Sequence, residues 1–342
     1  MRSLSGGARR DGLWTGLALL LLSIAAASLI VSAQASQLRL VSTAWPPFTN
    51  AEGQPRFALD LVEAALGRIG LRANTTIVDA AQFTTSVLGS DFDGSGAAWK
   101  DDERERVLLF SQPYLENRLI LVGRTGADVS VTTLGALWGK RIAVVEGYSY
   151  GDAIDNAGPT FVRSRSEEDS LRLLLDRSVD YTLMDELVVQ YLVDNHAKEA
   201  QTKLAFGSTP LLTRQLYFAV RRTRPDATSI IDRFNAQLRG MIADRTYHRL
   251  LRVGWIRADV DNDGVAEYVP YSDRPGPQEP QRAYSLFSTG QPAPQSPDSR
   301  RRFYVGGNIY NDWAAVPDSA KGYDTQWPDP SRSSGTIFRF SF

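Results

Sequence analysis

The chain has 342 residues, with 38 basic and 39 acidic side chains and a formal net charge of −1. That balance gives no reason to expect nucleic acid or a membrane surface as partner. The absence of cysteine excludes a lipoprotein anchor, disulfides, thiolate metal sites and a cysteine nucleophile. At the N-terminus, Arg2, Arg9 and Arg10 precede an apolar run from Leu13 to Val31, and Ala33-Gln34-Ala35 supplies small residues at cleavage spacing. This reads as an export signal over residues 1–35. An uncleaved anchor is the alternative, because the run is long enough to span a bilayer; the Ala- and Ser-rich second half favours cleavage. Roughly 300 residues then remain, enough for two domains.

Leu38 to Val41 is a short apolar strand that runs into Trp45-Pro46-Pro47-Phe48. Two prolines continue neither a central strand nor a helix, so a loop starts there. Phe57 to Leu66 carries apolar residues at helical spacing and Gly70 closes it, and Ala73 to Val78 reads as the next strand. This β-loop-α-β order, which recurs later, argues for an α/β sheet with ligands at its strand ends. From Ala97 the chain passes Trp99 and a charged turn with Arg104. Then come the apolar run Val107–Phe110, the stop Ser111-Gln112-Pro113-Tyr114, and a second apolar run, Leu119–Val122.

An arginine six residues before Phe-Ser-x-Pro-Tyr, followed by a strand, resembles the periplasmic solute-binding proteins of the polar-amino-acid type. These are the receptors that feed ABC importers. The aromatic-Pro-Pro-Phe loop resembles the same family, although Arg56 and Ala58 replace the glycine and first acid of its helix start. The resemblance implies that Arg104 grips a ligand carboxylate. A guanidinium fork matches a carboxylate bidentately; the plain alternative is a surface arginine among Asp101, Asp102, Glu103 and Glu105. Trp45, Phe48 and Trp99 would sandwich the ligand, or simply pack their loops.

Beyond Ala127, Leu134–Trp138 reads as a short helix and Arg141–Val145 as a strand ending at Glu146-Gly147-Tyr148. Ser166-Glu167-Glu168-Asp169 starts a helix that runs through Leu175, with acids in its first turn. Val179–Met184 is a strand ending at Asp185, and Leu187–Val193 a helix. Leu216–Val220 is a further strand, and Ile230 to Leu251 one amphipathic helix with Phe234, Leu238, Ile242, Tyr247 and Leu251 on its apolar face. By resemblance, Val179-Asp180 and then Asp185 match the family's ammonium-binding aspartate; a helix N-cap is the equal alternative for Asp185. The family's Gly-Thr is here Gly147-Tyr148, preceded by Glu146, and Asp101 replaces a threonine. Added acids beside the clamp would repel a simple carboxylate or recruit a more basic ligand. The implied architecture is α/β, with two lobes joined by two crossover strands near Leu121–Arg124 and Thr213–Leu216 and a ligand cleft between them. Residues 36–124 and 213–257 form the first lobe, and 125–212 the second.

Asp259, Asp261, Asp263, Gly264 and Glu267 follow, with alternating acids and a glycine at the sixth position. Convergent oxygens and a tight turn are what a calcium loop requires, so residues 258–270 are a candidate structural calcium site, with Glu267 replacing the usual acid where Pro270 stands. An acidic turn that binds nothing is the alternative. Residues 271–302, rich in Pro, Gln, Ser and Arg, read as a linker. Residues 303–342 read as a β-hairpin extension whose end, Ile337–Phe342, alternates aromatics.

The expected protein is a monomeric periplasmic receptor for an amino acid or similar zwitterion, with an ABC permease as partner and no anchor after cleavage. By the same resemblance, a dehydratase-like enzyme with Glu146 as general acid or base, or a sensory module, are the alternatives.

Overall fold

The computed structural model describes residues 37–151, 154, 158–280, 283–286 and 301–322; the expected export signal and Ile337–Phe342 lie outside them. Among these residues no helix is long and apolar enough to cross a membrane.

The first lobe begins with β1 (Gln37–Thr43), whose side chains from Leu40 onward are buried. Helix α1 (Phe57–Arg68) buries Leu59, Leu61, Val62, Ala65 and Leu66, and its first turn is tied by Arg56 to Asp60 and Glu63. An arginine therefore stands where the resemblance expects glycine and is held by the helix it precedes. Strand β2 (Arg72–Val78), α2 (Ala80–Leu88) and β3 (Gly94–Trp99) follow, then α3 (Asp102–Val107) and β4 (Leu108–Phe110). Strand β1 pairs in parallel with both β2 and β3.

The second lobe holds β6 (Arg141–Val145), β7 (Thr160–Ser164), α4 (Glu167–Leu175), β8 (Tyr181–Asp185), α5 (Glu186–Asn195) and α6 (Ala197–Lys203). Two long strands join the halves: β5 (Leu115–Arg124) and β9 (Leu204–Arg221). They run antiparallel from Leu115↔Leu216 to Arg124↔Leu204, with register shifts around Ile120 where Pro210 lies opposite. A proline cannot donate to the ladder, and an irregularity is where a sheet accommodates one. The nine-stranded sheet runs β2-β1-β3-β9-β5-β8-β6-β7, with β4 also on β9.

After β9, α7 (Ala227–Ala243) packs Ile230, Ile231, Phe234, Leu238, Met241 and Ile242 inward. The expected single helix to Leu251 is broken. Arg245 adopts a left-handed conformation (φ 67°), Asp244 accepts from the Thr246 backbone and hydroxyl, and α8 (Thr246–Leu251) starts anew. Beyond it, β10 (Trp255–Ala258), β11 (Glu267–Pro270), β12 (Tyr284–Ser285), β13 (Phe303–Val305) and β14 (Asn308–Tyr310) form a second sheet in the order β12-β10-β11-β13-β14. Phe303, Val305 and Val316 close a small core there with Trp255 and Trp313.

Candidate ligand-binding site

The loop after β1 folds on itself: Trp45 and Thr49 exchange backbone hydrogen bonds of 2.8 and 3.0 Å, and the Thr49 hydroxyl donates to the Thr43 carbonyl at 2.7 Å. The turn holds Trp45 in place, 5% exposed, stacked on Phe48 at 4.4 Å and edge-on to Trp99 at 5.7 Å. Phe48 is fully buried against Phe57 and does not line the cavity described below; it supports Trp45 from behind. Trp99 ends β3 and donates its Nε1–H to Asn117 Oδ1 at 2.8 Å.

Arg104 sits on α3, where the helical turn puts Asp102 and Glu103 in solvent and Arg104 inside. It is 2% exposed. Its Nη1 donates to the Trp99 carbonyl at 3.0 Å, and its Nη2 to Thr84 Oγ1 at 3.2 Å and the Gly147 carbonyl at 3.0 Å. Asp101 caps α3 through the Arg104 backbone N–H and lies 3.5 Å from Arg104 Nε. Burial lowers the Arg104 pKa and Asp101 opposes the shift. Buried so, a guanidinium remains a strong cation.

The second-lobe wall is the turn after β6. Gly147 has φ 77°, and a Cβ there would stand 2.4 Å from the Ala80 carbonyl oxygen at the start of α2, so only glycine allows this approach. Tyr148 meets Trp45 and Trp99 edge-on, at 5.5 Å each. Its hydroxyl is 3.4 Å from Thr43 Oγ1. Ser149 donates to Asp101, and Tyr150 packs edge-on to Trp99 at 5.3 Å. Glu146, by contrast, is exposed and outside the cavity lining; only its backbone N–H is engaged, to the Ser164 carbonyl.

Asp185 ends β8 and is 1% exposed. Oδ1 caps α5 by accepting from the Leu187 N–H at 2.7 Å. Oδ2 accepts from Asn117 Nδ2 at 3.1 Å and the Arg118 N–H at 2.9 Å. Burial nevertheless pushes its pKa up to about 7. Close by is Glu167, at the start of α4, with Oε2 buried and without a hydrogen-bond partner. Burial, and then the neighbouring Asp185 charge, push Glu167 up to about 8. The Trp45 indole approaches closely enough to lower that value somewhat, yet its Nε1–H makes no well-aligned hydrogen bond.

A cavity of about 30 Å³ is lined by Ser42, Thr43, Trp45, Trp99, Arg104 and Tyr148 among others; Asp185 and Glu167 do not line it and stand behind Trp45 and Tyr148. A single water needs on the order of 10–15 Å³, so the cavity as it stands has room for a water or two and not for an amino acid. The arrangement brings together Arg104, Trp45, Trp99, Gly147 and Tyr148 at one cavity. Behind the lining stand Thr84 on Arg104, Tyr150 and Asn117 on Trp99, and Glu167 beside Trp45, which sequence reasoning passed over. The two histidines stand elsewhere: His196 lies between α5 and α6, and His248 is buried with Nε2 on the Val269 carbonyl.

In the acidic loop, Asp259, Asp261 and Glu267 bring carboxylate oxygens within 4.8 Å of one another. Arg302 reaches the same acids, pairing with Glu267 and Asp263 and lying 3.6 Å from Asp261. Calcium takes about six to eight oxygens. Three grouped carboxylates supply part of such a shell, Asp263 stands outside the group, and Arg302 already pairs with the group's oxygens.

Comparison with curated protein sequences gives no match. Several solved structures share the fold. The P235GK mutant of ArgBP from T. maritima is 24% identical with a TM-score of 0.53, over 64% of this chain and 94% of that one. An arginine 3rd transport system periplasmic binding protein from Legionella pneumophila is 22% identical at 0.53, over 63% and 98%. The GluR0 ligand-binding core in complex with L-glutamate is 18% identical at 0.55, over 64% and 99%. Residues 39–256, from β1 to the start of β10, match the bacterial extracellular solute-binding proteins, family 3. The chain belongs to that family.

Proposed function

We propose that the protein binds an amino acid, or a similar small zwitterion, between its lobes in the periplasm and presents it to an ABC importer. The observation that carries this reading is Arg104, a buried guanidinium on the first lobe that reaches the Gly147 carbonyl of the second. A ligand carboxylate inserted between the lobes would meet the same donors with full charge, and charge-assisted bonds are roughly twice as strong as neutral ones. Closure around ligand then follows from hinge motion of the crossover strands β5 and β9. Solved relatives of the same fold, named as arginine- or glutamate-bound, support the amino-acid class.

The test is a thermal-shift screen of the mature protein against the standard amino acids and small organic acids. At least one amino acid should raise the midpoint, and Arg104→Ala should abolish the rise. No shift with any amino acid sinks the reading. A shift that Arg104→Ala leaves intact removes Arg104 from the site.

A further inference from the structure

Three acids open α4, and they have different fates. Glu168 and Asp169 face solvent partners, pairing with Arg172 and Arg165. Ser166 caps the helix by accepting from the Asp169 N–H at 3.1 Å, so Glu167 is not needed for the cap. Glu167 instead turns inward. The groups around it are Asp185 from β8, Tyr148 and Tyr150 from the turn after β6, and Trp45 from the first lobe. No cationic side chain among the described residues offsets its charge. Two buried polar atoms meet here without partners, Glu167 Oε2 and Trp45 Nε1, and Trp45 lines the cavity.

We propose that Glu167 receives a cationic side chain of the ligand, so that the site selects basic amino acids over neutral ones. The inference rests on the amino-acid reading above. A zwitterion's carboxylate is answered by Arg104. Its ammonium has one lone pair of Asp185 Oδ1 left, since that carboxylate already accepts three hydrogen bonds. Those two groups balance a neutral amino acid. Asp101, 3.5 Å from Arg104, is offset by Arg214, whose guanidinium lies 5.9 Å from the Trp99 ring, so Glu167 is a further carboxylate beyond that balance. A ligand of net charge +1 restores the balance, and the faces of Trp45, Trp99 and Tyr148 favour a cation further. Until a cation arrives, a proton on Glu167 neutralises the buried carboxyl. Binding exchanges the two: the carboxyl gives its proton to solvent and the ligand cation pairs with the carboxylate left behind.

The experiment is calorimetric titration of wild type and Glu167→Gln with arginine, lysine and glutamine at pH 7, in two buffers of different ionisation enthalpy. Wild type should prefer arginine or lysine to glutamine by about tenfold or more, the scale of a desolvated charge pair. It should also release more protons per basic ligand than per glutamine, because the ammonium that meets Asp185 is common to both and only the basic side chain displaces the proton of Glu167. Glu167→Gln should still bind glutamine to within severalfold while losing both the preference and the excess proton release with basic ligands. Glu167→Asp, which keeps the charge on a shorter stem, should recover part of the preference, which separates a charge effect from damaged folding. Preference and proton release unchanged in Glu167→Gln, or a wild type that prefers glutamine, overturn the inference and leave the amino-acid reading standing. Failure of the wild type to bind any amino acid overturns both.

Discussion

Arg104 ties the two lobes together through its own hydrogen bonds, and in the proposed reading it also meets the ligand. Its donors go to the Trp99 and Gly147 carbonyls and the Thr84 hydroxyl; the Thr84 hydroxyl also donates to the Gly147 carbonyl, so removing Arg104 takes the donor chiefly from the buried Trp99 carbonyl, at a cost of about 1–3 kcal/mol. Arg104→Ala should therefore lower the thermal midpoint of the protein on its own as well as abolish binding. Calorimetry is the check on affinity: truncating one partner of a buried charge pair costs about 2–5 kcal/mol. Arg104→Lys keeps the charge but loses the fork, and should bind measurably but more weakly. Wild-type affinity in Arg104→Ala would make the residue purely structural. The position of Arg104 was legible from its spacing to Phe110-Ser111-Gln112-Pro113-Tyr114; its burial was not. Asp102 and Glu103 disguised it as a surface turn, and only the three-dimensional turn of α3 sends those acids outward and the guanidinium in. Glu167 was hidden in the opposite way. Three consecutive acids at a helix start look alike in sequence, and the one that turns inward is chosen by packing against β8 and Trp45.

At the scale of elements, the strands and helices were legible where each decides its own conformation. Strand β6 is a short apolar run, α4 begins at a capping serine, and α1 buries a helical stripe. The length of β9 was not, because Gly207 and Pro210 interrupt its apolar pattern; β5 imposes the pairing from outside. The break between α7 and α8 was missed because the apolar spacing continues across it, while Asp244 and Thr246 make the local bonds that stop one helix and start the next. Asp185 joins two roles that the sequence left open, and the structure gives the first part of the answer: it caps α5 through the Leu187 N–H. Asparagine caps as well as aspartate, whereas alanine does not, at a cost of about 0.5–2 kcal/mol. Asp185→Asn should thus keep the cap while removing the charge, and Asp185→Ala should lose both. Chemical denaturation measures the first effect and calorimetry with an amino acid the second. An Asp185→Asn protein with wild-type affinity would leave the cap as the only role.

For the whole molecule, two carboxyls with pKa values raised to about 7 and 8, Asp185 and Glu167, set a pH dependence. Folded protein holds protons that the unfolded chain, with ordinary carboxyls near 4, has released. The folded state therefore binds more protons in this window, and stability falls as pH rises from about 5 to about 8. Glu167→Gln should flatten that decline in thermal or urea unfolding; an equally steep decline in the mutant would place the titration elsewhere. The C-terminal sheet presents a second electrostatic balance, and it decides how the chain beyond β10 is held. Arg302 lies just before β13 and carries its charge into the acids at 261, 263 and 267. Its carbonyl also accepts from the Tyr268 N–H at 2.8 Å, and Arg301 lies over the Tyr268 ring at 4.7 Å. Without the guanidinium, crowded carboxylates would repel one another, and β13 would lose a tie to β11. Arg302→Ala should accordingly speed proteolysis within residues 258–302 while amino-acid binding is retained, because neither Arg302 nor its acidic partners line the cavity. If calcium is an alternative occupant of these oxygens, millimolar calcium should raise the thermal midpoint of Arg302→Ala more than that of wild type, and Asp261→Ala should remove the difference. Equal calcium responses in both proteins, or protection from proteolysis that does not depend on Arg302, would leave the acidic loop as a turn and the hydrophobic contacts of Phe303 as what holds the extension in place.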